Sequence, residues 1–348
     1  MKILIKVALS AFGVAILMTG CAQKVQIKAL APAEVGEMAS MKKIAVTDFK
    51  NDKIGLSGKI ESSIAKHKLD KKRYFTVLSR KDINKVIAEQ ELQSSDLLDE
   101  KTASRVGKLI GAQALINGEV ASANGESSRY RKDMKECLSY YKKGGCARWH
   151  FYKKICNTTK ATVSANINIV DIETGTIIYG DNITKDYNGD SCKPKFKSLF
   201  SGPQPLLSKR QAINKLSSDI ANEFVHKITP NYVHFNVALL ESIEYDGVNS
   251  KQEQQFENAL EYIKAGRMIK AKAILSRLMD EVNGKSYVVA YDSGVVSEAL
   301  GKLDDAKKLY VISDNLTPKP IDEVNLAMVR IDNLIEKREE AKKQMNAK

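Results

Sequence analysis

Lys42-Lys-Ile-Ala-Val-Thr-Asp-Phe49, followed by Phe75-Thr-Val-Leu-Ser-Arg80 and by Val106-Gly-Lys-Leu-Ile-Gly-Ala-Gln-Ala-Leu-Ile-Asn-Gly-Glu-Val120, is the stretch whose reading decides the fold. Ile44-Ala-Val46 and Ala114-Leu-Ile116 are apolar runs of strand length, as expected of strands buried on both faces. Such strands require helices on both sides. Gly55-Leu-Ser-Gly58 supplies a turn and a serine cap, with Ile60, Ile64 and Leu69 recurring behind it near helical spacing. Ser79 precedes a second helix, in which Ile83, Val86, Ile87 and Leu92 are expected to face one way and Lys81, Asp82, Lys85 and Glu89 to face water. Thr102 to Ile110 repeats the pattern and ends at Gly111, where a helix end needs a left-handed residue. No Gly-x-x-x-x-Gly-Lys-Ser/Thr or Gly-x-Gly-x-x-Gly pattern occurs, so these glycines are read as local geometry and not as a phosphate cradle.

The order strand, helix, strand, helix, helix, strand resembles the CsgG-like family of curli-secretion lipoproteins. The matching pieces are Ile44 to Phe49, Leu56-Ser-Gly58, Ser79-Arg80 with the Glu89-Gln90 helix, and Gly107 to Gly111 leading into Ala114-Leu-Ile-Asn-Gly118. Ile169-Val-Asp-Ile-Glu-Thr-Gly-Thr-Ile-Ile-Tyr179 and the helix Arg210 to Ile228 extend the resemblance to about residue 228. It implies an α/β (α+β) domain, a mixed sheet flanked by helices, and a role in envelope assembly or export. It also implies membrane-crossing hairpins after Ser122 and after the strands that follow. There the residues depart from the pattern, because a barrel strand needs about nine to eleven residues with an unbroken apolar row facing lipid. The best row, Ala147, Trp149 and Phe151, meets Lys143 and Lys153 on its own face, and Ile183 to Phe200 carries Lys185, Asp186, Asp190, Lys193, Lys195 and Lys197. A pore is therefore the alternative reading.

The amino terminus, Met1-Lys-Ile-Leu-Ile-Lys6 with an apolar run from Val7 to Met18 and then Thr19-Gly20-Cys21, reads as a lipoprotein signal too short to span a membrane. Cys21 is the expected lipidated first residue, and Ala22 after it points by resemblance to the outer membrane. Removing Lys2 and Lys6 lowers the net charge from +13 by two, to +11. A surface this basic attracts acidic partners such as anionic headgroups, cell-wall polymer or an acidic protein. Nucleic acid is excluded for an exported chain. Domains are expected at 1–20 (signal), 21–41 (flexible tether), 42–228 (α/β domain with a basic insertion at 123–161), 229–250 (connector) and 251–348.

The insertion interleaves Lys and Arg with aromatics, and Arg148, Trp149, Phe151 and Tyr152 are its candidate partner-binding residues. Cys137, Cys146, Cys156 and Cys192 form an even set in an exported chain, which favours disulfides. Metal binding is the alternative, but no Cys-x-x-Cys pair exists and His150 alone is a poor fourth ligand. Four cysteines allow three connectivities. A hairpin closing on Thr174-Gly175 makes opposed residues sum to 349, so Cys156 faces Lys193, one place from Cys192. Cys137 and Cys146 then remain, about the turn Lys142-Lys-Gly-Gly145. The expected role of the longer bridge is to clamp the base of a projecting, partner-binding finger.

After Pro230 the chain turns helical. Ala259, Tyr262, Gly266, Ala271 and Leu275 return thirty-five positions later as Gly294, Ser297, Gly301, Ala306 and Tyr310, which resembles a tetratricopeptide (TPR-like) pattern and implies an all-α domain. Ile321 to Met345 is the expected capping helix, with a charged end from Ile335 that frays. No Gly-x-Ser-x-Gly or His-Glu-x-x-His motif supports an enzyme, a hydrolase being the weakest reading. No metal and no cofactor is expected. The favoured function is that of a non-enzymatic, outer-membrane-anchored assembly or transport component facing the periplasm, binding envelope proteins as a homo-oligomer or within a larger complex.

Overall fold

The computed structural model describes residues 23–89, 92, 99–142, 144–193, 205–243 and 248–347. Cys21 and the signal segment lie outside the described residues. The chain divides into two compact units, one made of residues up to Ala29 with Val233–Glu336, the other of Leu30–Tyr232 with Lys337–Lys348.

The segment expected to be a flexible tether is folded. Lys24–Ala31 forms strand β1, in which Val25, Ile27 and Ala29 are buried and Lys24, Gln26 and Lys28 are exposed. That period of two is the mark of a half-buried strand. A 3-10 turn follows at Gly36–Ala39, with Met38 fully buried.

The α/β unit then runs through β2 (Lys43–Val46), α1 (Leu56–Lys66), the small antiparallel pair β3 (Lys68–Leu69) and β4 (Lys72–Arg73), β5 (Thr76–Val77), α2 (Arg80–Glu89) and α3 (Glu100–Ile110). Three strands, β6 (Ala114–Tyr140), β7 (Cys146–Asp171) and β8 (Thr176–Asp190), and helix α4 (Lys209–Ile228) complete it. The sheet order is β5-β2-β6-β7-β8, with β2 parallel to both neighbours and the remaining pairs antiparallel. This is the mixed sheet the sequence implied, and helices cover both faces of its base. Ile44, Val46, Ile167 and Ile169 point into one core with Ile60 and Ile64 of α1 and Leu216, Ile220 and Phe224 of α4. Ala45, Leu115 and Val170 point into the other, with Ile87 of α2 and Ala103 and Val106 of α3.

Several local expectations are corrected. Ser57 lies inside the first turn of α1 and does not cap it; the Asp52 carboxylate does, accepting from the Leu56 and Ser57 N–H groups at 2.8 and 2.9 Å. An aspartate four residues upstream reaches donors that a serine within the turn cannot. Leu69 sits on β3 beyond the helix end, though its side chain joins the same core. Gly111 closes α3 in the left-handed conformation, φ 69°. The β7–β8 hairpin closes with Asp171 opposite Thr176, because the Asp171 side chain accepts the Glu173 N–H at 2.8 Å and widens the loop to four residues. A register shift between Ile169 and Val170 then sets Thr158 opposite Asp190, a sum of 348 and not 349. The stretch 123–161 is no separate insertion: it is the outward continuation of β6 and β7.

In the other unit β9 (Asn231–Ala238) pairs with β1. Helices α5 (Ser250–Lys264), α6 (Met268–Glu281), α7 (Tyr287–Ala299), α8 (Leu303–Leu316) and the first part of α9 (Asp322–Asn346) enclose one core. The thirty-five-residue repeat marks its geometry. Ala271 and Ala306 are both fully buried, as are Leu275 and Tyr310, and Gly294 lets Tyr310 approach so closely that a Cβ there would lie 2.5 Å from the ring. Glu298, fully buried, accepts both Arg330 Nε and an Arg330 terminal nitrogen at 3.0 Å and also the Tyr310 hydroxyl, tying α9 to α7 and α8. The charged end of α9 does not fray. Its residues 337–346 belong to the α/β unit, where Ala341 is buried and the Gln344 carboxamide both accepts from Ala33 N–H (2.7 Å) and donates to Ala33 carbonyl (3.2 Å). Two reciprocal backbone bonds hold that turn in place of the missing apolar residues.

Candidate functional site: a braced basic hairpin

Beyond Thr158, where β8 stops pairing with β7, strands β6 and β7 continue as a two-stranded arm to Tyr140 and Cys146. About twelve residues per strand at roughly 3.3 Å each give a reach of about 40 Å. Residues 129–157 contain nine Lys or Arg against two Asp or Glu, a net charge of +7 within a chain of +13. An isolated two-stranded ribbon is marginal in water. This one is braced at both ends.

At the tip Cys137 is bonded to Cys146, Cα atoms 5.7 Å apart. At the base Cys156 is bonded to Cys192, Cα atoms 5.5 Å apart, across the chain that leaves β8. Ser191 exchanges hydrogen bonds with Asn157, its N–H donating to the Asn157 carbonyl (2.9 Å) and its hydroxyl accepting the Asn157 N–H (2.8 Å). Asp190 fixes the same corner, accepting the Tyr130 hydroxyl at 2.7 Å and the Cys192 N–H at 2.8 Å. Those two donors, the tyrosine first, hold the Asp190 carboxyl below the usual carboxylate range.

The register assigns the side chains of the arm to two faces, since cross-strand partners share a face and neighbours alternate. Lys135 faces Phe151, Asp133 faces Lys153 and Arg131 faces Ile155. Phe151 is 72% exposed, Ile155 55% and Trp149 45%. Lys135 Nζ lies 4.6 Å from the centre of the Trp149 ring, a cation–π contact that orients the indole. On the opposite face His150 and Tyr152 stack, ring centres 5.6 Å apart, between Lys132, Lys154 and Glu136. The four candidate residues are thus split: Trp149 and Phe151 form one face, Arg148 and Tyr152 belong to the other. Ile155 and Lys135, which the sequence reading left out, complete the aromatic face. Counting back from the Lys142–Gly145 turn sets Lys135 opposite Tyr152, one residue off and so on the wrong face, because the register shifts between Cys137 and Tyr140 have no signal in the sequence.

Each face carries at least three charged side chains, and an Arg or Lys at the bilayer midplane on a lipid-facing strand costs about 2–4 kcal/mol. Neither face therefore offers an unbroken apolar row. The second charged window, Ile183 to Phe200, runs along β8 to Asp190 and ends in residues 194–200, which lie outside the described residues. Among the described residues no helix is long and apolar enough to cross a membrane, and no group of three or more His, Cys, Asp or Glu is placed to hold a metal ion.

A mixed sheet covered by helices on both faces, extended by a long hairpin, defines the class of the chain. The family model for the curli production assembly/transport component CsgG matches residues 36–259, well over half of the 348 residues, and the chain belongs to that family. No curated protein matches the chain.

Proposed function

We propose that this family member is a lipid-anchored, non-enzymatic assembly component of the outer membrane, facing the periplasm, that docks acidic envelope proteins on the aromatic face of its basic hairpin. The observation that carries the reading is the combination of +7 charge with exposed Trp149, Phe151 and Ile155 on a ribbon stapled by two disulfides. Rigid aromatic anchors with flanking cations are what protein interfaces use at their centres. Holding them on a braced ribbon lowers the ordering cost of binding. A photo-crosslinking residue in place of Phe151 is expected to give a protein adduct of one defined mass in intact cells. That adduct should disappear when Arg131, Lys135 and Lys153, the cations of the aromatic face, are changed to Glu; adducts only with lipid, or none, contradict the reading.

Anchoring rests on Cys21 after Thr19-Gly20. The Cys21→Ser variant should accumulate as a larger, unprocessed precursor in the inner-membrane fraction. Normal size and location would remove the anchor from the account.

A further inference from the structure

The thirty-five-residue repeat exposes a vacancy at one end of the helical unit. Gln255, Asn258 and Tyr262 of α5 correspond to Ala290, Ser293 and Ser297 of α7, which are 0%, 5% and 0% exposed. The face that α7 buries is therefore presented to solvent by α5. A concavity of about 620 Å³ lies there between α5 and α6, with Tyr262 and Ile274 in its lining. Polar outer faces are normal on terminal repeats, because they keep the array soluble. This one has an uneven charge: Arg267, Lys270 and Arg277 line it against the single carboxylate of Glu261. Among the described residues none of the three cations has an ion-pair partner, whereas Lys272 on the same helix pairs with Asp305 at 3.3 Å. Arg267 lies 4.9 Å from the Tyr262 ring centre, which holds its charge over the groove. Gln255 Oε1, also in the lining, is buried with no hydrogen-bond partner. A second, more apolar concavity adjoins, sharing Arg267, Lys270 and Ala273 and adding Met268, Leu300 and Ile269, the last 79% exposed.

We propose that this double groove binds an acidic peptide segment of a partner protein, with two or more carboxylates on Arg267, Lys270 and Arg277 and one aliphatic side chain on the Ile269 patch. Charge complementarity selects the ligand: a basic or neutral peptide of the same shape finds no partner for the three cations and only Glu261 for its own charge. The site is separate from the hairpin and does not depend on the function proposed for it.

The test uses the full chain and a fluorescein-labelled twelve-residue peptide of glutamate and leucine, with glutamine–leucine and lysine–leucine peptides as controls, read by anisotropy. Saturable binding of the glutamate peptide is expected, weakening as salt rises from 50 to 500 mM because surface charge is screened. Arg267→Glu with Lys270→Glu and Arg277→Glu should weaken it at least tenfold, and Ile269→Ser severalfold, with unchanged melting temperature since all four side chains are exposed. Lys101→Glu with Lys108→Glu on α3, exposed and outside both surfaces, should leave it unchanged, and Lys153→Glu with Lys154→Glu on the hairpin separates binding at the groove from binding at the hairpin. No binding at 100 µM protein, equal binding of the glutamine peptide, or loss through the hairpin variant and not the groove variant would overturn the proposal.

Discussion

Asp292 sits on α7 with no exposure to solvent, its Oδ1 accepting the Leu240 N–H at 3.1 Å and its Oδ2 buried without a partner. Burial pushes its pKa well up; the Leu240 N–H opposes the shift and the charge of Glu241 adds to it. A carboxyl whose folded pKa is raised favours the fold only while protonated, so its penalty is absent below the unfolded value of about 3.9 and grows as pH rises toward the folded one. Asp292→Asn keeps the acceptor for Leu240 and removes the charge. It is expected to stabilise the helical unit by on the order of 1–3 kcal/mol at pH 7, with the gain vanishing near pH 4, as read by thermal unfolding across that range. A gain independent of pH, or a loss at pH 7, would show that burial of Asp292 imposes no ionisation penalty on the fold. Its burial was open to reading from sequence: Tyr287-Val-Val-Ala-Tyr-Asp-Ser-Gly-Val-Val296 has no polar face, and a helix apolar all round is a buried one. The partner at Leu240 was not, since it lies fifty-two residues away.

At the scale of elements, the hairpin depends on its two bridges unequally. Cys156–Cys192 closes a separation of 36 residues and Cys137–Cys146 one of 9. In the chain-entropy model the longer bridge contributes roughly 4 kcal/mol and the shorter roughly 3 kcal/mol. Replacing Cys156 and Cys192 by Ser should therefore lower the urea midpoint of the α/β unit more than replacing Cys137 and Cys146, which braces only the tip. A larger loss from the tip pair would contradict the assigned roles. The helices, strands and turn of the base were legible because burial on both faces leaves near-continuous apolar runs in the sequence. The arm was not, since both of its faces are polar and its period of two carries little hydropathy contrast. Strand β1 was missed although Lys24-Val-Gln-Ile-Lys-Ala29 alternates, because six residues next to a lipoprotein signal look like a spacer. The end of α9 was misread for a different reason: Gln344 holds its turn by hydrogen bonds to Ala33, 311 positions away, and no local pattern encodes a contact that distant.

For the whole molecule, the family supplies an assembly/transport component and the residues decide what its hairpin can face. A channel requires the ribbon of residues 129–157 to present one apolar side to lipid. Here Arg131, Asp133, Lys135 and Lys153 share a side with Trp149 and Phe151, while Lys132, Glu136 and Lys154 occupy the other. An Arg or Lys costs about 2–4 kcal/mol at the midplane and about 0–1 kcal/mol near the interfaces, so the three cations spread along the aromatic side oppose insertion by roughly 2–6 kcal/mol. Trp149, Phe151 and Ile155 return a comparable amount, at about 1.5–3 kcal/mol each for full burial, so what this side lacks is the unbroken apolar row that a lipid face needs. Conductance across a planar bilayer to which the detergent-purified protein has been added measures this balance directly: no reproducible large conductance is expected, whereas steady, uniform conductance steps from ring-shaped particles would contradict the docking account and assign the hairpin to a pore.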